Sequence, residues 1–423
     1  MNSHFPSLSQ ASPALSAASS RELAPSLGWV VMVTTVFVLF TVPYTANIIP
    51  WAHREGFFPL RPAFYLLAMS VAVIGCTLGR KPDFTLTTLL IIVFHAIYLF
   101  DAAVLRRFDH PSGSNYAMMT HGAVLLTTIA MAWFIGAIHS VTWIPVMASA
   151  SMTVVVCSLV NIAEWFGVHS FTIVMGRAAG FWGDPNNSSI AIVVALAIFL
   201  TLNKNIWVSF GLIALSFVAV AITLSRSGII AELLVVIAYL VLASRRNPRA
   251  VTQALAVTIP VVIAATVFLV SNMSSDVLRE ADVQDRLGAL LGKDTGKMAS
   301  GERMKDLNDG LQAVRLKPVT GYGIGAGTTK WQPHNQIVAT WIDGGIAVAF
   351  AYLAILGLLT FKCIASGLHG GLCLLTLFIF IPFSQILHTH MGYWMAAIVL
   401  VTITSSRFYS VQWFKQSTPL PKI

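Results

Sequence analysis

Arg226 is a candidate for binding an anion, because it stands in Leu224–Gly228, where two apolar runs meet with almost no loop between them. The planar guanidinium suits two-pronged binding of a phosphate. Ser227 and Gly228 are expected to open the next helix, whose N–H groups and positive dipole end also favour an anion. The plainer alternative is an arginine that reaches out to lipid phosphates.

His334 is the candidate for acid–base chemistry. It follows Pro333 at the end of a long polar stretch, 272–333, and precedes an apolar run. A neutral imidazole near pH 7 can accept a proton from a hydroxyl. The alternative is an interfacial histidine that only caps the helix after it.

A second cation, Arg303, lies inside the polar stretch. Ser300 is expected to cap a helix, with Arg303 in its first turn. Helical spacing continues through the apolar residues Met304, Leu307, Leu311, Val314 and Leu316. Ion pairs with Glu302, Asp306 or Asp309 would give Arg303 a structural role instead.

Acidic residues are too scattered to predict a metal site. No Asp-x-Asp or His-Glu-x-x-His occurs, and His388-Thr389-His390 is the only ligand-like pair. The sequence therefore predicts no metal and no cofactor. Glu164 and Asp343 are expected to pair with arginines or to cap helices. The glycine-rich Thr320–Gly327 superficially fits G-x-G-x-x-G, but without a βαβ unit it predicts a tight turn rather than a dinucleotide site.

Composition predicts an all-α polytopic membrane protein, since 56% of residues are hydrophobic, 10% are charged and mean hydropathy is +0.77. The apolar runs approach the ~20 residues of a bilayer crossing. About twelve are recognisable: Gly28–Ile49, Pro62–Gly79, Phe84–Leu105, Tyr116–Ile138, Val141–Asn161, Ser188–Leu202, Ile206–Leu224, Ser227–Ala243, Val251–Val270, Ile337–Thr360, Gly371–Leu387 and Tyr393–Ser405.

The expected organisation has five parts. They are a disordered cytoplasmic tail (1–27), nine spans (28–271), one large outer loop with short helices (272–336), three spans (337–405) and a cytoplasmic tail (406–423). Basic residues of the short loops, above all Arg245, Arg246 and Arg249, favour cytoplasmic termini and an outer loop.

The net charge of +9 comes from residues that flank spans, so no nucleic-acid partner is predicted. The four cysteines have neither disulfide nor zinc spacing and are expected in the core.

Between about Arg177 and Phe350 the chain resembles the O-antigen ligase/polymerase superfamily. The resemblance is carried by six motifs in order: Phe181–Asn187, Thr223–Gly228, Leu291–Asp294 leading into Ser300–Arg303, Lys317–Gly323, Pro333–Gln336 and Gly344–Ile346. One departure is Glu302, which stands where the family often has Gly-Arg directly.

This resemblance implies a metal-independent, inverting transfer of O-antigen glycan from undecaprenyl diphosphate to lipid A–core at the periplasmic face of the bacterial inner membrane. Arg226 and Arg303 would bind the diphosphate and His334 would be the general base. Weaker candidates for binding substrate are Arg286, Arg177, Lys330, Asn335 and Gln336. A polymerase or a protein O-oligosaccharyltransferase of the same superfamily is the first alternative. A lipid-linked glycan flippase is the alternative of another class, although its charges would be expected near the midplane of several helices.

Overall fold

The computed structural model describes residues 25–101, 111–172, 176–271, 297–368 and 370–405. Within these ranges the regular structure is helical and contains no strand. The first eight helices are α1 (Leu27–Thr45), α2 (Ile48–Arg54), α3 (Pro62–Gly75), α4 (Leu86–Phe100), α5 (Pro111–Ile138), α6 (Ile144–Trp165), α7 (Pro185–Leu202) and α8 (Ile206–Ile222).

The remaining helices follow the same order along the chain. They are α9 (Arg226–Ser244), α10 (Pro248–Ser271), α11 (Lys297–Leu316), α12 (Ala326–Thr329), α13 (Gln336–Ala365), α14 (Gly371–Ile379) and α15 (Met391–Ile403). Two short 3-10 turns, Gly180–Trp182 and Leu387–Thr389, precede α7 and α15.

The described helices confirm the all-helical fold class, and their apolar character indicates a multi-pass membrane protein. Among the described residues, seven helices are long and apolar enough to cross a membrane, and four more apolar helices have 10–17 residues. The total of twelve spans stays a prediction, because α14 has only nine residues. The predicted run Gly28–Ile49 is two helices, since Asn47 has a φ of 60° and breaks the chain direction between α1 and α2.

Polar turns from distant parts of the chain share one face of the bundle. Asn47 Nδ2 donates to the Phe181 carbonyl at 2.9 Å, and the rings of Trp182 and His390 stack at 4.9 Å. Helix α7 is buried along most of its length and therefore lies at the centre of the protein. Its first residues lie at this face. The opposite end holds another contact, between the Asp83 N–H and the Gly136 carbonyl at 3.2 Å.

The glycine-rich turn docks on a break in α13. The N–H groups of Tyr322 and Gly323 donate to the carbonyls of Ile342 and Asp343 at 2.7 and 2.9 Å. At the break, Gly345 has a φ of 68° and a ψ of −164°. A Cβ on Gly345 would lie 2.0 Å from the Val319 carbonyl oxygen. The predicted glycine turn is thus confirmed, and it fixes the segment before His334 against the helix after it.

Replacing Gly345 with alanine is therefore expected to destabilise the protein. The positive φ alone costs about 1–3 kcal/mol for a residue with a side chain, and the clash with Val319 adds to it. Gly357, in the same helix, is the matched control because a Cβ there meets nothing within 4 Å. Thermal unfolding in detergent should show a clear loss for Gly345→Ala and no loss for Gly357→Ala. Equal midpoints for the two variants would contradict the docking.

Candidate active site

The first half of the site is the turn between α8 and α9. Ser225 caps α9, and its Oγ accepts from the Gly228 N–H at 3.2 Å. The same Oγ donates to Asn186 Oδ1 at 2.9 Å, which ties the start of α9 to the start of α7. A Cβ on Gly228 would lie 2.5 Å from Ser189 Cβ. Only glycine allows the two helix starts to come this close.

Arg226 is the first residue of α9, so the helix begins one residue before the predicted start at Ser227. The side chain is half-buried, and its Nε is buried without a hydrogen-bond partner among the described residues. A buried, unpaired polar group is costly. Together with the positive end of the helix dipole, this cation makes a site that an anion would stabilise.

Arg177 lies against the same turn. It is buried, and its Nε donates to the Thr223 carbonyl at 2.8 Å. The neighbouring N–H of Ala178 donates to the Ile222 carbonyl at 3.1 Å. The structure therefore brings Arg177 to the turn that carries Arg226, across 46 residues of sequence.

Glu164 holds the loop that presents Arg177. Its carboxylate accepts from the backbone N–H groups of Phe171 and Thr172, each at 2.6 Å. It also accepts from those of Ala179 and Gly180, each at 2.7 Å. The expected pairing of Glu164 with an arginine is not among these contacts, which are all to backbone. The sequence signal that was available is a single carboxylate at the end of an apolar helix.

Two further carboxylates cap helices. Asp184 accepts from the N–H groups of Asn186 and Asn187 at 2.8 and 2.9 Å, at the start of α7. Asp343 accepts from the Gly327 N–H at 2.7 Å, in the first turn of α12. The expectation of a capping role is confirmed for Asp343.

The second half of the site surrounds His334. This residue has a φ of 48°, and its Nε2 lies 3.7 Å from Asp306 Oδ2. Burial and the nearby Arg303 guanidinium lower the pKa of His334, although the carboxylates of Asp306 and Asp184 act in the opposite direction. The imidazole is therefore mainly neutral near pH 7 and can accept a proton. Because the charge of Asp184 raises the pKa of His334, this half of the site lies near the start of α7.

Arg303 is positioned by α11, which begins earlier than predicted. The helix starts at Lys297, so Ser300 lies inside it and is not its N-cap, and Arg303 lies in the second turn. A Cβ on Gly310 would lie 2.8 Å from Pro333 Cβ. This close approach packs α11 against the residue before His334. Leu307 and Val314 pack in a hydrophobic cluster with Val338 and Ile342 of α13. Met304, Leu311 and Leu316 are exposed.

Asn335 and Gln336 are both engaged within the protein. Asn335 Oδ1 caps α13, accepting from the N–H groups of Ile337 and Val338 at 3.0 and 3.1 Å. Gln336 is buried; its Oε1 accepts from the Leu387 N–H at 2.7 Å, and its Nε2 lies 2.8 Å from His388 Nδ1. These contacts fix the turn that carries His334.

The two histidines of His388-Thr389-His390 contact different partners. His388 bonds Gln336 and stacks on His121 at 5.1 Å, whereas His390 stacks on Trp182. Across the described part of the chain, no group of three His, Cys, Asp or Glu residues could hold a metal ion.

Lys330 and Arg286 are the remaining cations that the sequence suggested for binding substrate. Lys330 is exposed, with its ammonium 4.6 Å from the Trp331 ring centroid. Arg286 lies outside the described residues.

Comparison with known proteins bears on the central part of this arrangement. Residues 211–353 match the family model described as O-antigen ligase. This match confirms the resemblance to the O-antigen ligase superfamily. The matched segment contains Arg226, Arg303 and His334, and it begins after Arg177 and the Asp184 cap. No curated protein matches the chain significantly.

Proposed function

We propose that this protein transfers an O-antigen glycan from undecaprenyl diphosphate to a hydroxyl of lipid A–core oligosaccharide, at the periplasmic face of the bacterial inner membrane. The observation that carries the proposal is Arg226, a cation at a helix start with a buried Nε that lacks a partner among the described residues. A diphosphate would supply that partner. The O-antigen ligase match over residues 211–353 supports the same substrate class.

In the proposed reaction, Arg226 and Arg303 bind the diphosphate and stabilise the negative charge that develops on it as it leaves. His334 takes the proton of the acceptor hydroxyl. The acceptor oxygen then attacks the anomeric carbon as the bond from that carbon to the diphosphate oxygen breaks. Attack opposite the leaving group inverts the anomeric centre.

The weaker candidates have supporting roles in this scheme. Arg177 adds positive charge beside the Arg226 turn, and its contact with the Thr223 carbonyl holds that turn. Asn335 and Gln336 set the position of His334 through their internal hydrogen bonds. Arg286 and Lys330 are proposed as further cations for the same donor.

The acceptor class can be tested with purified protein and lipid-linked glycan. Lipid A–core, a second lipid-linked glycan and an acceptor protein are offered separately, and the joined product is scored by mass. We expect transfer to lipid A–core. Product only on the second glycan would indicate a polymerase, product only on the protein would indicate an O-oligosaccharyltransferase, and glycan moved across a bilayer without any joined product would favour a flippase.

Transfer is expected to need no divalent metal, since the arginines supply the positive charge that a metal would otherwise bring to a diphosphate. Activity should therefore persist in excess EDTA. The measurement compares initial rates with EDTA, and with EDTA followed by excess magnesium or manganese. A rate that falls in EDTA and returns with either metal would refute this expectation.

A further inference from the structure

The imidazole of His334 lies close to the carboxylate of Asp306. Nε2 of His334 lies 3.7 Å from Asp306 Oδ2, and the two side chains are 36% and 40% exposed. At this distance the contact is an approach of charged groups rather than a formed hydrogen bond. Catalytic hydrogen bonds are often long without substrate and shorten in the reacting complex.

The packing of α11 places Asp306 close to the turn that holds His334. Gly310 contacts Pro333 closely, and Asp306 lies four residues before Gly310, on the same face of the helix. Arg303 lies three residues before Asp306, so it is a neighbour on that face. The helix therefore presents one cation and one carboxylate to the turn that holds His334.

The contact between Asp306 and His334 could be read as an ordinary surface ion pair. An ion pair, however, requires a charged histidine. Burial and Arg303 lower the pKa of His334, so the imidazole is mainly neutral at pH 7. A neutral imidazole carries its proton on one nitrogen only. Beside a carboxylate that nitrogen is Nε2, which leaves the lone pair on Nδ1.

We propose that Asp306 is a positioning residue for His334, holding the proton on Nε2 so that Nδ1 receives the proton of the acceptor hydroxyl. This rests on the proposed function. In the step, the acceptor O–H bond breaks and an N–H bond forms at Nδ1. The oxygen bonds the anomeric carbon, and the electron pair of the broken glycosyl bond leaves with the diphosphate. The carboxylate then stabilises the imidazolium that has formed.

The sign of the pH effect follows from the charged groups that face His334. These are Arg303 and Asp306 from α11, and Asp184 from the start of α7. Arg303 lowers the pKa of His334, and the two carboxylates raise it. Removing the charge of Asp306 should lower that pKa further. Because the base must be neutral, the rise of kcat with pH should then move to lower pH.

The test is the pH profile of kcat at saturating donor for the parent, Asp306→Asn and Asp306→Glu. The side-chain amide introduced by Asp306→Asn offers an N–H to Nε2 and so favours the wrong tautomer. We expect kcat to fall at least about 10-fold, part of the ~10²–10⁴ of general base catalysis. The acid limb should move to lower pH, the donor KM should stay unchanged, and Asp306→Glu should restore part of the rate. The control is Asp309→Asn, the same charge change at an exposed position of α11.

A second measurement does not depend on turnover. Nitrogen chemical shifts of labelled histidine, assigned with His334→Ala, report which ring nitrogen of His334 carries the proton. We expect Nε2–H in the parent and in Asp309→Asn, and loss of that preference in Asp306→Asn. An unchanged tautomer and an unmoved acid limb in Asp306→Asn would overturn the proposal. If the tautomer changes while His334→Ala still transfers glycan at the parental rate, the proposed function fails and the pairing stands.

Discussion

Replacing His334 with alanine is expected to slow glycan transfer by about 10²–10⁴-fold, the range for loss of a general base. The variant loses the group that accepts the acceptor proton, while the arginines that bind the diphosphate remain. Single-turnover transfer with bound donor measures the effect without contributions from product release. The donor should still bind the variant with parental affinity.

The control for this variant is His169→Ala, which removes an exposed histidine of the same helix-end face. Its transfer rate should stay at the parental value. If His334→Ala also transfers at the parental rate, the histidine is a helix-end residue and the proposed mechanism is wrong.

Arg226→Ala is expected to lower transfer by roughly 10²–10³-fold, the effect of removing one donor that stabilises developing negative charge. It should also weaken binding of the carrier lipid, because the charge-assisted hydrogen bonds from Arg226 to the diphosphate form before the transition state. Arg226→Lys keeps the charge but loses the planar, two-pronged guanidinium. It should therefore recover only part of the transfer rate and part of the carrier affinity. Turnover and carrier binding are measured on the same preparations.

The matched control is Arg245→Ala, at the opposite end of the same helix. It removes one positive charge from an exposed position and should leave carrier binding unchanged. Carrier affinity that falls equally in both variants would indicate a general effect of net charge. Parental affinity in Arg226→Ala would remove this residue from the donor site.

Local sequence patterns were sufficient to predict parts of the site that depend on neighbouring residues. A helix start next to Arg226 was predicted, one residue late at Ser227, because Ser225-Arg226-Ser227-Gly228 separates two apolar runs that are each long enough to approach a span. The turn at His334 follows in the same way from Pro333 and the apolar run after Asn335. Each prediction needed only a few adjacent residues.

Contacts between distant segments could not be predicted in that way. The hydrogen bond from Ser225 to Asn186 spans 39 residues, and the one from the Leu387 N–H to Gln336 spans 51. Such pairs depend on which helix ends share a face, and a single sequence does not fix that. The four backbone contacts of Glu164 are of the same kind, because an isolated carboxylate gives no indication of the loop it binds.

The helix that presents Arg303 shows where the local signal was misleading. Ser300 is a good capping residue, yet the helix already begins at Lys297. The informative residue was Gly310, which disfavours a helix locally but permits its approach to Pro333. The sequence indicates Asp306 only as a local partner of Arg303, since its contact with His334 depends on the approach of Gly310 to Pro333.

Binding of a diphosphate-linked lipid through Arg226 can be measured without turnover. The experiment compares the affinities of undecaprenyl diphosphate and undecaprenyl monophosphate for the purified protein and for Arg226→Ala. We predict that the unaltered protein binds the diphosphate more tightly and that Arg226→Ala loses most of this preference. Equal affinity of the unaltered protein for the two lipids, or a preference that survives in Arg226→Ala, would show that Arg226 does not bind the diphosphate.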